Sequence, residues 1–398
     1  MSEHPRAPHP TSPLPETTDV LVVGAGPVGL TLAAALTARG VDVTLVDRQA
    51  EGANTSRAAV VHARTLEVLE TVGIADELVG VGVIVPRFTV RDRDQALLTV
   101  DFDGLPTRYP YTLMVPQNIT EEVLLRRLRT LGGDVHRPYE VASLTQDGEG
   151  VTATMASGET VRARYAVGAD GMHSTVREHA GIGFTGDTYA QSFVLADVRL
   201  EGDVRADEVM LFFSPAGLVV VAPLPGGRHR IVATVDEAPE HPGLTDVQAV
   251  LDARGPQEQL ARVSEVVWSS RFRVHHRLAD AYRAGRILLA GDAAHVHSPA
   301  GGQGMNTGIQ DAVALAARLG AVLRDGAPAG TLDGYAEERR PVAARVVRFT
   351  DRMTRIATTG SASRRRARNA ALRVLGRIPA VRRRMAMNLS ELNAGGHA

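Results

Sequence analysis

The sequence of 398 residues contains no cysteine and no lysine. Without cysteine there can be no disulfide, iron–sulfur cluster, thiolate zinc site or cysteine nucleophile. Without lysine there is no Schiff base to a carbonyl or pyridoxal group, and no Walker P-loop, whose lysine must reach the phosphates. Arginine supplies all 44 basic side chains against 45 acids, and the net charge of −1 gives no general drive toward nucleic acid. No apolar run is long enough to span a membrane, so no integral membrane association is expected. His295 and His297, with His275 and His276 nearby, lack a third ligand at suitable spacing, so no metal is expected. Residues 1–17 are rich in Pro, Ser, Thr and His without an apolar stretch; they read as a disordered tail rather than a signal peptide, which makes the cytoplasm the expected location.

What the chain has instead is glycine, placed where strands would meet helices. The first such element is Gly24-Ala25-Gly26-Pro27-Val28-Gly29, preceded by the apolar run Val20 to Val23 and followed by helical apolar spacing as far as Leu36. In such a strand–turn–helix unit Gly24 permits the turn, Gly26 lets the backbone approach a pyrophosphate, and Gly29 lets helix and strand pack closely. The helix N-terminus adds free N–H groups and a partial positive charge. A second apolar run, Val43 to Val46, ends at Asp47, about 20 residues on, where a carboxylate can accept ribose hydroxyls and would repel a 2′-phosphate. This suits FAD or NAD. The run Gly181-Ile182-Gly183-Phe184-Thr185-Gly186 fits the same bare pattern but lacks the preceding strand and following helix, and it reads as a loop.

The second element is Gly168-Ala169-Asp170-Gly171, after a strand-like Tyr165 to Val167, with Ser174 placed to cap a short helix. The third is Gly291-Asp292-Ala293-Ala294-His295, leading through Pro299-Ala300-Gly301-Gly302-Gln303 into Gly304-Met305-Asn306 and a long helix. Asp292 can hold a hydroxylated chain at a strand end. The glycine-rich loop aims backbone N–H groups and a helix dipole at a developing anion such as that of a reduced flavin.

These patterns predict an α/β chain. A discontinuous Rossmann-like FAD-binding domain would take 18–80, 112–185 and 272–330. A smaller, mostly antiparallel-sheet substrate domain would take 81–111 and 186–271, and helices would fill 331–398. Strand alternation puts one of Phe212 and Phe213 toward the substrate and the other toward the core. Phe212 and Val220 are taken as the substrate-facing candidates. In the last segment Val381, Met385, Leu389 and Leu392 form a helical stripe beside an arginine cluster, which reads as a solvated face. His62 and Arg64 could line a path for a mobile ring or could be salt-bridge partners.

The three elements, with Arg57-Ala58, His62 to Glu67, Pro116-Gln117-Asn118 and Tyr335 to Pro341, resemble those of the single-component (group A) FAD-dependent aromatic hydroxylases with the para-hydroxybenzoate hydroxylase fold. The resemblance covers 18 to about 350. It implies that the turn Gly24, Ala25, Gly26, Pro27 and Gly29, with Asp47, Arg48, Arg57 and Gln117, binds the adenosine, pyrophosphate and ribityl parts of a non-covalent FAD. Asp170 would belong to a motif tied to FAD and NADPH. Asp292 would bind the ribityl chain, Gly304, Met305 and Asn306 would offer N–H groups to the pyrimidine ring, and the backbone at Pro299 would lie over the reaction site.

The activity so implied is an NADPH-consuming monooxygenase of secondary metabolism. It would insert one atom of O₂ into a phenolic, multi-ring small molecule through a C4a-hydroperoxyflavin, with no side-chain acid or base assigned. NADPH would be a transient reductant without a domain of its own, and the protein a monomer or homodimer with no nucleic-acid partner. The alternative is an FAD-dependent reductase or dehydrogenase of the same superfamily that inserts no oxygen. A halogenase is disfavoured because that chemistry relies on a lysine. Longer members carry a thioredoxin-like domain after this point, and in length this chain resembles the compact ones.

Overall fold

The computed structural model describes residues 13–52, 58–235, 238–258, 261–357 and 361–393. The expected tail falls mostly outside these residues, and its last member, Thr17, already opens the first strand, Thr17–Val23. Arg57 also lies outside them.

Thr17–Val23 sits inside an eight-stranded sheet, paired in parallel with Val43–Val46 on one side and Thr160–Gly168 on the other. Ile287–Leu289 continues the parallel order beyond Thr160–Gly168. Both faces of these strands are covered, which is why they read as continuous apolar runs rather than alternating ones. Val20, Leu21 and Val22 have no exposed surface. The helix Pro27–Thr37 covers one face and packs along the long helix Gly304–Leu323.

The register explains why three glycine elements far apart in sequence come together. Val23 pairs with Gly168, and Gly168 pairs with Leu289. Each glycine element follows one of these strand ends, so all three emerge side by side at the carboxyl edge of the sheet, where open α/β sheets bind their ligands.

A second eight-stranded sheet takes strands from 87–101, 184–235 and 262–279, with His295–Val296 at its edge. Its longest pair, Phe184–Glu201 and Arg262–Ala279, runs antiparallel. The run from Gly181 is half turn and half strand rather than all loop. Gly181 follows the short helix Thr175–His179, whereas Phe184 to Gly186 lie within the long strand. A Cβ on Gly186 would stand 2.0 Å from the His276 carbonyl oxygen, so this glycine serves strand-to-strand contact. Helices Asp333–Ala357, Ala362–Gly376 and Pro379–Leu389 follow.

Candidate flavin site

The first element is shaped by close backbone approach. Gly24 has φ +100°, and a Cβ on it would lie 2.4 Å from the Ala169 carbonyl oxygen. A Cβ on Gly29 would lie 1.8 Å from the Gly24 carbonyl oxygen. Gly26 differs: a Cβ there would meet no protein atom within 4 Å. That open space lies at the N-terminus of the helix, which has Pro27 at its start and no side-chain cap.

Asp47 flanks the turn. Its carboxylate accepts from the Ala25 N–H at 2.7 Å and the Gln49 N–H at 2.8 Å, and it lies 3.4 Å from the Arg137 guanidinium. Arg48 is exposed beside it. Gln117 grips Ala58, donating its backbone N–H to the Ala58 carbonyl and accepting the Ala58 N–H through its side chain at 3.2 Å. The Gln117 amide also donates to Glu121 at 2.8 Å. Burial raises the Glu121 carboxyl above its ordinary range, against the pull of Gln117 and Arg137. Arg137 was not anticipated: it follows a strand of only two residues, Val135–His136, whose pattern carries no signal.

Asp170 accepts the Val176 N–H at 3.2 Å, and its other carboxylate oxygen is buried with no protein partner among the described residues. Burial raises its pKa. Ser174 caps the short helix as expected, accepting the Arg177 N–H at 3.0 Å. Arg177 then joins the second element to the third by donating to the Ala293 carbonyl at 2.9 Å. Asp292 is exposed at its strand end. The first and third elements also touch, since Cβ atoms on Gly291 and Gly308 would each fall within 3 Å of the Val28 side chain.

The loop before the long helix rests on buried polar side chains. Asn306 accepts the His62 N–H at 2.8 Å and donates to the carbonyls of Val60 and Gly302 at 2.8 and 2.7 Å. His62, fully buried, bonds the Gly301 carbonyl at 2.8 Å, and burial pushes its pKa down to about 4 despite that carbonyl. Arg64 makes an ion pair with Glu67 at 2.7 Å. The helix Gly304–Leu323 begins at Gln303 with no side-chain cap, so its first-turn N–H groups, those of Gly304, Met305 and Asn306, have no partner within the helix.

His295 belongs to the core. Its ring nitrogen lies 2.6 Å from Asp311, whose other oxygen accepts from the Arg339 Nε at 2.7 Å. Burial opposes ionisation of Asp311, but Arg339 and His295 hold its pKa below the ordinary value. Arg339 also donates to the Thr307 carbonyl, so this buried ion pair braces the start of the long helix.

The second sheet corrects one assignment. Phe212 is only 1% exposed and packs with Met210, Val219 and Ile231 under the helix Leu244–Arg254, away from the flavin elements. Pairing of Phe212 with Val219 and of Leu211 with Val220 puts Leu211, Phe213 and Val220 on the opposite face. There Val220 and Leu211 pack against the nucleotide-domain core and the C-terminal helices. Alternation requires one phenylalanine on each face, and only the pairing register decides which.

These donors fit FAD. Gly26 leaves a cradle that any side chain would fill, Asp292 presents a carboxylate at a strand end, and an uncapped helix faces the loop. The family described as FAD binding domain matches residues 17–350. The chain belongs to the FAD-dependent aromatic hydroxylase family. The 6-methylpretetramide 4-monooxygenase of Streptomyces rimosus is 44% identical over 83% of this chain, and this match spans 60% of that protein's length. The solved p-nitrophenol 4-monooxygenase from Pseudomonas putida superposes with TM-score 0.85 at 28% identity, over 96% of this chain and all of that one. The anhydrotetracycline hydroxylase from Streptomyces rimosus superposes with TM-score 0.78 at 35% identity, over 96% of this chain and 78% of that one. FAD is the family's cofactor. Among the described residues no group of three or more His, Cys, Asp or Glu could hold a metal ion, and no helix is long and apolar enough to cross a membrane.

Proposed function

We propose that this protein is an NADPH-consuming monooxygenase that inserts one oxygen atom from O₂ into a phenolic, multi-ring small molecule. The observation that carries the reading is the convergence of three glycine elements on one sheet edge, giving a single dinucleotide cradle joined to an uncapped, braced helix start. Bound FAD supplies the redox and oxygen-activating chemistry. The protein's part is to bind, orient and keep dry. Gly24 to Gly29, Asp47 and Arg48 hold the nucleotide, with Gln117 beside it, and the family resemblance adds Arg57. Asp170 belongs to the motif tied to FAD and NADPH, and Asp292 binds the ribityl chain. Gly304, Met305 and Asn306 offer N–H groups to the ring, with Pro299 above it.

Substrate class rests on the apolar sheet face. Leu211, Phe213, Leu218 and Val220 form an apolar face covered by the nucleotide-domain core and the C-terminal helices, which limits the substrate to a site at its margin, and the relatives named above act on tetracyclic or phenolic compounds by name. We place the reaction in the cytoplasm and in secondary metabolism, and we divide the chain into a nucleotide domain, a substrate sheet and a helical end with the limits given above.

The test is anaerobic stopped-flow reduction of the FAD-loaded protein by NADPH across a panel of phenols and polycyclic phenols. The expected outcome is that one class accelerates flavin bleaching and, on admission of O₂, yields oxygenated product in step with O₂ uptake. Bleaching without oxygenated product from any member would point to a reductase and overturn the proposal.

A further inference from the structure

The last described residues return to the flavin loop. Leu389, Ser390, Glu391 and Leu392 are all buried, although the helix before them is largely exposed. Gln303 donates to the Leu389 carbonyl at 3.2 Å and to the Gly301 carbonyl at 3.3 Å. The Arg64 N–H donates to the Ser390 carbonyl at 3.2 Å. Gln310, on the long helix, donates to the Glu391 carboxyl and to Thr65. These few residues therefore bond both walls of the ring site, the loop Gly301–Asn306 and the segment His62–Thr65.

Glu391 has an unusual backbone. Its φ is +60°, a left-handed conformation that disfavours a residue with a Cβ. Such strain persists only where its surroundings over-determine it. Along the same seam, His62 Nδ1, Arg64 Nε, Ser390 Oγ and Glu391 Oε1 are buried without a protein partner among the described residues.

We propose that Glu391 is a positioning residue for the flavin loop, fastening the chain's end as a strap across Gln310 and Thr65 and so fixing the distance between the two walls of the ring site. This rests on the reading that Gly301–Asn306 holds the ring. The groups facing the carboxyl are Gln310 and Asp311 on the long helix, Arg339 on the helix after it, and Arg64 on the helix that follows His62. Burial pushes the Glu391 pKa up to about 8, with Asp311 adding to the rise and Gln310, Arg339 and Arg64 opposing it. A carboxyl raised from 4.5 to about 8 on folding contributes fully below 4.5 and loses its contribution as pH rises through 8. The strap is therefore fastened in acid and released in mild alkali.

The experiment is hydrogen exchange of the purified, FAD-loaded full chain at pH 6 and pH 9, corrected for intrinsic rates, in the parent, Glu391→Gln and Glu391→Ala. Protection of Gly301–Asn306 and Leu389–Leu392 should fall at least tenfold in the parent between the two pH values. It should be independent of pH in Glu391→Gln, which keeps the hydrogen-bonding capacity and cannot ionise, and lost at both in Glu391→Ala. Parent protection that does not change with pH, or a glutamine variant as unprotected as the alanine one, overturns the proposal. Flavin absorbance is read on the same samples. A parent that holds no FAD overturns the functional reading, and strap protection measured in that protein still decides this inference.

Discussion

At Gly24–Gly29 the site is shaped by side chains that are missing; at Gly301–Asn306 it is held by side chains that are present and buried. The first region is backbone against backbone, with Gly29 and Gly24 so close that a single methyl would overlap a carbonyl oxygen. The second hangs on Asn306, His62, Gln303 and, one layer below, the Asp311–Arg339 pair. Where backbone alone makes the shape, a short motif is enough to specify it. Where a network makes it, the residues are scattered over more than 240 positions, as the His62–Asn306 bond shows. The nucleotide end should therefore fail locally and the ring end should fail with the fold.

The largest effect should come from Asp311→Ala. Removing one member of a buried ion pair leaves Arg339 uncompensated, and a loss of about 3–5 kcal/mol in stability is expected from denaturant unfolding of the apoprotein. A loss under about 1 kcal/mol would show that the ring end is not held by this pair. Next, Gly26→Val should reduce FAD affinity at least about 100-fold, roughly 3 kcal/mol, while leaving the apoprotein melting temperature nearly unchanged, because the new side chain enters ligand space. If calorimetry shows apoprotein unfolding instead, Gly26 belongs with Gly29 as a packing glycine.

Asp292→Ala should weaken FAD by about 1–3 kcal/mol in a fluorescence titration, through lost hydrogen bonds to a charged acceptor. Acid should act on the ring end. His62 is held near 4 against an ordinary 6.5, so between those values the unfolded chain binds a proton that the folded chain refuses. The contribution of His62 should accordingly rise with pH across that window and be lost below it, against the opposite contribution of Glu391 above 4.5. The parent minus His62→Gln difference in stability should grow with pH between about 4 and 6.5, and a constant difference would move the cause elsewhere. The smallest effect is expected for Pro299→Gly, whose added freedom is worth about 0.4–1 kcal/mol, or a factor of roughly 2–5. It should appear as a higher ratio of hydrogen peroxide to oxygenated product at unchanged FAD content.

The same contrast explains what could be read in advance. The strand–turn–helix at Gly24 and the capping Ser174 were legible because each depends on neighbours in sequence. Phe212 was not, because two adjacent phenylalanines on a strand are distinguished only by which residues of the next strand they meet. Arg137, Gln303, Gln310 and Glu391 gave no signal, being single polar residues whose meaning lies in contacts made across the fold. The bare glycine pattern at Gly181 shows the converse, a motif whose residues match while its surroundings do not.

The parallel order of the first sheet has a consequence for how the protein is made. Thr17–Val23 is made well before its later neighbours: the strand two places away in its sheet, Ile287–Leu289, and the helix that packs on Pro27–Thr37 come some 270 residues later. At about 5–20 residues per second, the nucleotide turn waits on the order of 15–60 s for its neighbours. During that interval Pro27–Thr37, Val43–Val46 and, later, Thr160–Gly168 are at hand, but the cover supplied by Ile287–Leu289 and Gly304–Leu323 is still missing. Flavin binding can therefore only be a late event in biosynthesis, and premature termination anywhere before the long helix should yield aggregating fragments rather than a smaller, working cradle.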